Sequence, residues 1–250
     1  MALLDAMALA IDPEEGTLAE ARMLNARYGA LSAQDAIALV VKELYPGDVA
    51  MVSSFGAESA VLLHLLSEVD RSVPVIFLDT GRLFAETVEY RTQLVAHLGL
   101  TDVRSVTPDP ERVLSKDPHR ALWMTDPDLC CRIRKAEPLS RALEGFDAWF
   151  TGRKRFQNAM RSTLGLFEAD GERIKINPLA NWGVDDLKVY MDRHDLPAHP
   201  LVARGYPSIG CVPCTSRVAP GEDVRAGRWR GLDKTECGIH TGLEDDGSGI

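Results

Sequence analysis

The sequence predicts an α/β protein built on a parallel twisted sheet with helices on both faces. Segments of strand character alternate with segments of helical periodicity in the order β-α-β-α-β, which is typical of parallel strands joined by crossover helices. The strand segments are continuously apolar, as expected for a sheet covered on both sides. The length of 250 residues suits one large domain.

The elements are predicted in order along the chain. Helical spacing predicts two N-terminal helices, TLAEARMLNARYGA with a cap at Thr17, and SAQDAIALVVKELYPG. Strand DVAMVSS, helix AESAVLLHLLSEV, strand VPVIFLDT, helix LFAETVEYRTQLVAHLGL ending at Gly99, and strand DVRSVTP follow. Helix RIRKAEPLSRALEGF, strands AWFTG and RIKINPLANW, and helix VDDLKVYMDRHDLP complete the series. We expect a single domain, 1–250, with an α/β core at 30–200 and a mobile, loop-dominated tail at 201–250.

Composition and charge narrow the class of protein. Apolar residues make up 45% and charged residues 26%, as in a globular protein with a core. A net charge of −9 argues against a general nucleic-acid binder but allows a local anion pocket. No apolar run approaches the roughly 20 residues of a membrane span. The segment MALLDAMALAIDPEEG lacks a basic start and turns acidic at once, so we expect a cytoplasmic protein without a signal peptide.

Small polar residues follow two predicted strands, at the sheet edge where open parallel sheets bind ligands. In SSFGAES, the residues Ser53, Ser54, Gly56 and Glu58 lead into a helix, whose N-terminal N–H groups favour a phosphate. A plain strand-to-helix turn is the alternative. In LDTGRLF, Thr80 occupies the corresponding position after the next strand.

A basic loop follows the strand AWFTG. The stretch FTGRKRFQNAMR contains Gly152, Arg153, Lys154, Arg155 and Arg161. A solvated basic face would explain such a run, and so would a cationic clamp for an anionic substrate. The position of the loop at a strand end makes the clamp a candidate.

Four of the five cysteines form two pairs, Cys130–Cys131 and the CxxC pair Cys211–Cys214. Soft thiolates select zinc, copper(I) or iron–sulfur clusters. Adjacent side chains on a helix diverge by about 100°, which suits the separate irons of a cluster better than one tetrahedral zinc. Zinc, a vicinal disulfide and unligated core thiols remain alternatives.

The fifth cysteine, Cys237, lies in KTECGIH near the C-terminus. A leftover surface cysteine is the simple interpretation. Its neighbours in the sequence are basic, however: Arg225, Arg228, Arg230, Lys234 and His240. Nearby positive charge raises the thiolate fraction, so Cys237 is a candidate nucleophile on a mobile arm.

Taken together, SSFGAES, LDTGRLF, the Cys-Cys pair, the CxxC pair and ECGIH resemble the assimilatory sulfonucleotide reductases over roughly residues 30 to 240. The match is to the cluster-bearing branch that acts on adenosine 5′-phosphosulfate (APS). The resemblance implies a Rossmann-like fold of the adenine nucleotide alpha-hydrolase type, with a nucleotide-binding core and a [4Fe-4S] cluster. It also implies a reaction in which APS and reduced thioredoxin give sulfite, AMP and oxidised thioredoxin.

The resemblance further implies roles for individual residues. Cys130, Cys131, Cys211 and Cys214 match the cluster ligands, and Cys237 matches the nucleophile. The other catalytic positions of the family match Lys135, Arg225, Arg228 and His240. The substrate-binding candidates are Ser53, Ser54, Gly56, Glu58, Thr80, Gly152, Arg155 and Arg161. The sequence departs from relatives at Ser59, where they often carry Asp, in the order of residues in the basic loop, and in a shorter segment before ECG.

Three other functions fit parts of the pattern. A 3′-phosphoadenosine 5′-phosphosulfate (PAPS) reductase would share the mechanism and need extra cations for the second phosphate. An ATP pyrophosphatase of the same sheet type would resemble SGGxDS at the turn, whereas SSFGAES lacks the second Gly and the Asp. A nucleotide-binding metal sensor would not need Cys237 among basic residues.

Overall fold

A computed structural model of the protein describes residues 13–157, 161–232 and 234–240. In this part of the chain, strands occur at β1 (Val49–Val52), β2 (Val75–Leu78), β3 (Val103–Val106), β4 (Ala148–Phe150), β5 (Phe167–Asp170) and β6 (Arg173–Ile176). They form one sheet in the order β3-β2-β1-β4-β6-β5. The N-terminal segment, residues 158–160 of the basic loop and residues 241–250 of the predicted tail lie outside the described residues.

The sheet confirms the predicted α/β class and corrects one edge of it. Strands β1, β2, β3, β4 and β6 are parallel, but β5 pairs antiparallel with β6. The predicted parallel sheet is thus confirmed for five strands, and the sequence did not predict the antiparallel edge strand β5. The strand FEAD is short, half polar and carries no β-branched residue, so it gave little strand signal. A tight turn with Gly171 at a φ of 61° reverses the chain between the two strands.

The helices run at α1 (Pro13–Tyr28), α2 (Ala33–Leu39), α3 (Ser59–Ser67), α4 (Ala85–Leu98), α5 (Pro110–Lys116), α6 (Leu122–Thr125), α7 (Pro127–Cys131), α8 (Glu137–Ala142) and α9 (Val184–Arg193). Helix α2 continues as a π-helical turn, Val40–Leu44, and a second π-helical turn, Arg132–Ala136, joins α7 to α8. The sequence did not predict α5 and α6, which are short and expose their side chains widely.

Helix ends follow the local rules in most places. Ser32 caps α2 by accepting a hydrogen bond from the Asp35 N–H, and Gly99 ends α4 in the left-handed conformation, as predicted. The predicted cap at Thr17 was wrong. Helix α1 begins four residues earlier, and the Thr17 hydroxyl donates to the Pro13 carbonyl inside the helix.

Two apolar cores lie against opposite faces of the sheet. The larger one packs α1, α2, α3 and α4 on residues such as Met51 and Phe77. The smaller one packs Leu139 and Leu143, from α8 and its end, on Ala50 and Trp149. The helices thus cover both faces as predicted, and the carboxyl ends of the parallel strands remain open for a site. No described helix combines the length and apolarity needed to cross a membrane.

Candidate active site

A cleft of about 260 Å³ lies at the carboxyl ends of β1, β2 and β4. This volume approaches the range of small-molecule sites. The cleft brings together most of the predicted catalytic and substrate-binding residues: Ser53, Ser54, Gly56, Glu58, Thr80, Lys135, Gly152, Arg161, Arg225, Arg228, Cys237 and His240. These residues come from five separate stretches of the sequence.

The turn after β1 is shaped by its own side chains. The Ser53 hydroxyl accepts from the Phe55 N–H at 3.2 Å, and the Ser59 hydroxyl accepts from the Gly56 N–H at 2.9 Å. Phe55 is buried and adopts a positive φ of 48° to make this turn. Ser59, noted in the sequence only as a departure, thus holds the turn closed at the start of α3.

The basic loop after β4 is largely paired. Lys154 is buried and donates to the Glu58 carboxylate at 2.6 Å and to the Gly152 carbonyl at 3.1 Å. Burial lowers the pKa of Lys154, although Glu58 opposes that effect. Arg153 lines the cleft but contacts the Glu168 carboxylate. The structure does not bring Arg155 into the cleft, because its guanidinium donates to the Leu164 carbonyl at 2.6 and 2.8 Å.

The four paired cysteines line a second, small cavity beside the cleft. Cys130 and Cys131 end α7, and Cys211 and Cys214 flank a single 3₁₀ turn. The CxxC segment is held against the stretch after β2 by a bridge between Leu83 and Cys211. The Thr80 hydroxyl lies 3.3 Å from the Cys211 sulfur, so this strand end touches both cavities.

Cations surround the cysteine cavity. Arg82, Arg134 and Lys135 line it, and Arg134 is buried. The buried carboxylate of Asp117 accepts from Arg134 at 2.8 Å and from Arg82 at 3.1 Å. Burial tends to raise the pKa of Asp117, but its hydrogen bonds and these two arginines hold it below its usual value. Asp117 is a residue that the sequence analysis missed, since no local motif marks it.

Lys135 lies between the two cavities, lining both of them. Burial would lower the pKa of Lys135, but the thiolates of Cys211, Cys237 and Cys131 outweigh it and raise the pKa. The ammonium therefore carries its charge between the paired cysteines and the cleft.

Cys237 is half-buried and lines the cleft. Arg228 lies nearby in the same wall, with its guanidinium 4.4 Å from the centre of the Trp229 ring and 3.4 Å from the Ile209 carbonyl. A β-carbon on Gly210 would lie only 2.4 Å from Arg228 Nη2, so the glycine allows this arginine its position.

The residues after Cys237 dock on the sheet. The His240 ring is stacked on the Trp149 ring. The backbone carbonyl of His240 accepts a hydrogen bond from Lys175 Nζ at 3.3 Å. Lys175 is itself paired with Asp170 at 2.6 Å, and Asp170 also accepts from the Trp149 indole at 2.9 Å. Sequence reasoning missed Trp149 and Lys175 because they lie inside predicted strands that the fold alone explains, and it missed Asp170 because the strand FEAD gave little signal.

His240 is neutral at neutral pH. Burial, together with the positive charges of Arg153, Lys175, Arg161 and Arg225, lowers its pKa well below the usual range. Its Nδ1 atom is buried and makes no hydrogen bond within the described residues. A neutral imidazole cannot add to the positive charge of the cleft, so its stacking contact is its main interaction here.

The mostly parallel six-stranded sheet, with helices on both faces, places the chain among α/β proteins. An FMN adenylyltransferase from Candida glabrata, 16% identical, superposes with a TM-score of 0.54 over 80% of this chain and 74% of its own. At this identity the likeness concerns the fold alone.

The particular family follows from the sequence. The chain belongs to the phosphoadenosine phosphosulfate reductase domain family, whose model matches residues 48–217. An adenosine 5′-phosphosulfate reductase from Chelativorans sp. (strain BNC1) is 56% identical, over 90% of this chain and 93% of its own. The protein of that name from Mesorhizobium japonicum is 53% identical, over 93% and 92% of the two chains. A phosphoadenylyl-sulfate reductase structure from Candida auris, a phosphate complex, is 29% identical with a TM-score of 0.67, over 79% of this chain and 96% of its own.

Proposed function

We propose that the protein reduces APS to sulfite and AMP in sulfate assimilation, in the cytoplasm, with reduced thioredoxin as the electron donor. The observation that carries the proposal is the position of Cys237. This thiol lies in the same cleft as the turn after β1 and the cations Lys135 and Arg228. The relatives named as APS reductases, at 56% and 53% identity, support the same reaction.

The reaction balances with thiols alone. The Cys237 thiolate attacks the sulfur of the phosphosulfate, the bond from that sulfur to the bridging oxygen breaks, and AMP departs with the electron pair. Cys237 is left as S-sulfocysteine. A thioredoxin thiolate then attacks the Cys237 sulfur and expels sulfite. This step leaves thioredoxin joined to Cys237 by a mixed disulfide. The second thioredoxin thiol resolves it, so that Cys237 is restored and thioredoxin carries away the two oxidising equivalents as a disulfide.

The cleft cations make the attack feasible. APS is a polyanion, and an anionic thiolate is repelled by it unless positive charge lies close to both. Lys135 and Arg228 line the wall that also holds Cys237, while the turn after β1 offers N–H groups at the start of α3. We assign these cations to screening the approach and to stabilising the charge that develops on the departing phosphate.

We assign Cys130, Cys131, Cys211 and Cys214 as ligands of a [4Fe-4S] cluster. The donor set fits: four thiols share one cavity, and Arg82, Arg134 and Lys135 would balance the negative charge of a thiolate-ligated cluster. Within the described residues, no three His, Cys, Asp or Glu side chains are arranged to hold a single metal ion. A cluster held by these four cysteines would supply a negative, polarisable charge in a cavity that Lys135 also lines.

Burial favours the protonated form of three of the paired cysteines. Burial raises the pKa of Cys131 to about 11, against the opposing charge of Lys135. Burial also raises the pKa of Cys130 and of Cys214. Binding of iron would therefore release protons from these residues.

APS is favoured over PAPS as the substrate. A 3′-phosphate would need additional cations, and the basic loop after β4 is a candidate source of them. In the structure Lys154 is paired with Glu58, Arg153 contacts Glu168, and Arg155 turns to the Leu164 carbonyl. Arg161 is paired with Glu236, so all four predicted loop cations are engaged by the protein itself.

Sulfite release from each sulfonucleotide tests the proposal. Protein purified without oxygen would be mixed with reduced thioredoxin and either APS or PAPS. We expect sulfite and AMP in equal amounts from APS and a much lower kcat/KM with PAPS. A higher kcat/KM with PAPS than with APS would show that PAPS is the substrate. If the protein instead hydrolyses ATP and forms no sulfite, the protein is not a reductase of either sulfonucleotide.

A further inference from the structure

We propose that Glu236 is a positioning residue that seats Cys237 in the cleft through Arg161 and Arg225. The inference rests on the function proposed above for Cys237. It also changes the role of Arg225, which the sequence pattern had grouped with the cations that act on the substrate.

The contacts join the tail to the core. Arg161 Nη2 lies 2.7 Å from the Glu236 carboxylate. Arg225 Nη2 lies 3.9 Å from the same carboxylate and donates to the Thr235 carbonyl at 3.0 Å. Arg161 also contacts the side chain of Gln157, so the loop after β4 and the segment before Cys237 meet at one guanidinium.

Burial makes this ion pair stronger than a surface pair. The exposed fractions are 16% for the Glu236 side chain, 10% for Arg161 and 17% for Arg225. Exposed pairs contribute little because water and salt screen them, whereas a mostly desolvated pair is screened less. Removing one charge from such a pair leaves its partner buried without compensation, which favours opening of the segment.

Because of its position in the chain, the ion pair of Glu236 with Arg161 restricts the position of Cys237. Glu236 directly precedes Cys237, and consecutive Cα atoms are fixed at about 3.8 Å. Holding the Glu236 carboxylate therefore restricts where the Cys237 sulfur can lie. On the other side of Cys237, the stack of His240 on Trp149 holds the segment a second time. Without the Glu236 contact, the chain before Cys237 would be held by contacts further from the thiol, at the Thr235 carbonyl and at Lys234, which is paired with Asp128.

The pair also bears on the cations of the cleft. Glu236 and Thr235 engage Arg225, so this arginine acts on the tail as well as lining the cleft that holds Lys135, Arg228 and Cys237. Arg161 lines the cleft and also contacts Glu236, so one side chain belongs both to the substrate site and to the contacts of the segment.

Glu236→Gln tests this arrangement, with Glu222→Gln as the matched control. Glu222 forms an exposed ion pair with Arg230 at 2.9 Å in the same part of the chain but does not line the cleft. On cluster-loaded enzyme we would measure kcat and KM for APS, iron content, and amide hydrogen exchange of the peptide that contains residues 234–240.

We expect Glu236→Gln to lower kcat about tenfold with KM changed by less than about twofold, since misplacement of a reacting group lowers the rate of the chemical step. Exchange in the 234–240 peptide should become faster, while iron content stays at the wild-type value. Glu222→Gln should match the wild type in all of these measurements.

Two results would overturn the inference. Unchanged kcat and unchanged exchange would show that the ion pair does not hold the segment. A lower KM with unchanged kcat would show that Glu236 merely competes with the substrate for the arginines. The exchange measurement needs no substrate, so it reports on the ion pair even if the protein proves unable to reduce APS.

Discussion

The imidazole of His240 lies parallel to the indole of Trp149, with ring centroids 5.8 Å apart and planes 7° from parallel. The contact joins the last described residue of the tail to the fully buried centre of β4. Since His240 lies three residues after Cys237, the stack bears directly on where the proposed nucleophile is held.

We predict that this stack, and not the imidazole nitrogens, is what the reaction requires of His240. His240→Ala should lower kcat by about tenfold, near the upper end of what an aromatic pair contributes. His240→Phe keeps a ring for stacking and should retain most of the wild-type kcat. Steady-state kinetics of the two variants would decide; equal loss in both would assign a chemical role to the imidazole.

Cys237→Ser should abolish sulfite formation, because a serine hydroxyl is barely ionised at neutral pH and attacks poorly. The variant should still bind APS and keep its full iron content, since Cys237 does not line the cavity that the four paired cysteines share. In the wild type without thioredoxin, mass spectrometry should find one sulfonate on the peptide containing Cys237. An adduct on any other cysteine would contradict the assignment of roles.

Cys211→Ser should lose iron and keep the nucleophile, whereas Cys237→Ser keeps iron and loses the nucleophile. Because Cys211 lines the cysteine cavity and contacts the Thr80 hydroxyl, its loss should remove the cluster and leave Cys237 chemically intact. Iron and acid-labile sulfide should fall together, with little sulfite formed. If anaerobic wild-type preparations contain stoichiometric zinc and no sulfide, the cluster assignment is wrong.

Lys135→Ala should lower kcat by roughly 100-fold, the scale for removing one preorganised charge from a transition state. Lys135 is the described lysine that lines both cavities, so the fold and most of the iron should survive its truncation. Arg141→Ala, at an exposed position of α8, is the matched control and should retain full activity. If the Lys135 variant has the wild-type kcat, Lys135 does not contribute to catalysis.

Stability should fall in mild acid because of His199. This buried side chain interacts with the Thr87 hydroxyl at 3.1 Å, and burial lowers its pKa from 6.5 to about 4. The folded state therefore binds fewer protons than the unfolded state between these values. The free energy of unfolding should decline by about 3 kcal/mol as the pH drops from about 6.5 to 4, and this residue should cost nothing above that window.

Thermal midpoints across this pH range measure the effect. His199→Gln should show a flatter dependence on pH than the wild type, and replacement of the exposed His119 by Gln should leave the dependence unchanged. An equally steep loss of stability in the His199 variant would assign the acid sensitivity to other groups.

Much of the architecture could be predicted because it depends on local pattern. The strand β2 and the helix α4 that ends at Gly99 were predicted from apolar periodicity and a single glycine. The strand FEAD was not, because a polar edge strand has no periodicity of its own and forms by pairing with RIKI. Thr17 looked like a cap because only the structure shows that the helix continues past it on the N-terminal side.

The candidate site divides in a similar way. The sequence predicted that SSFGAES and the loop after β4 belong to the site, because both follow strands and the carboxyl ends of parallel strands lie at one edge of the sheet. Spacing could not show that Arg155 turns towards Leu164 or that Asp117 joins Arg82 to Arg134. Those contacts depend on the path of loops, which local propensity does not define.

The sequence by itself determined the order of the elements, the division of the cysteines into two pairs and one single residue, and the basic stretches that lie near them. The tertiary structure decided which of those charges face the cleft. Lys154 meets Glu58 across 96 residues of sequence, and Arg161 meets Glu236 across 75. Electrostatic interaction depends on distance in space and on burial, and neither quantity is written in the local pattern of residues.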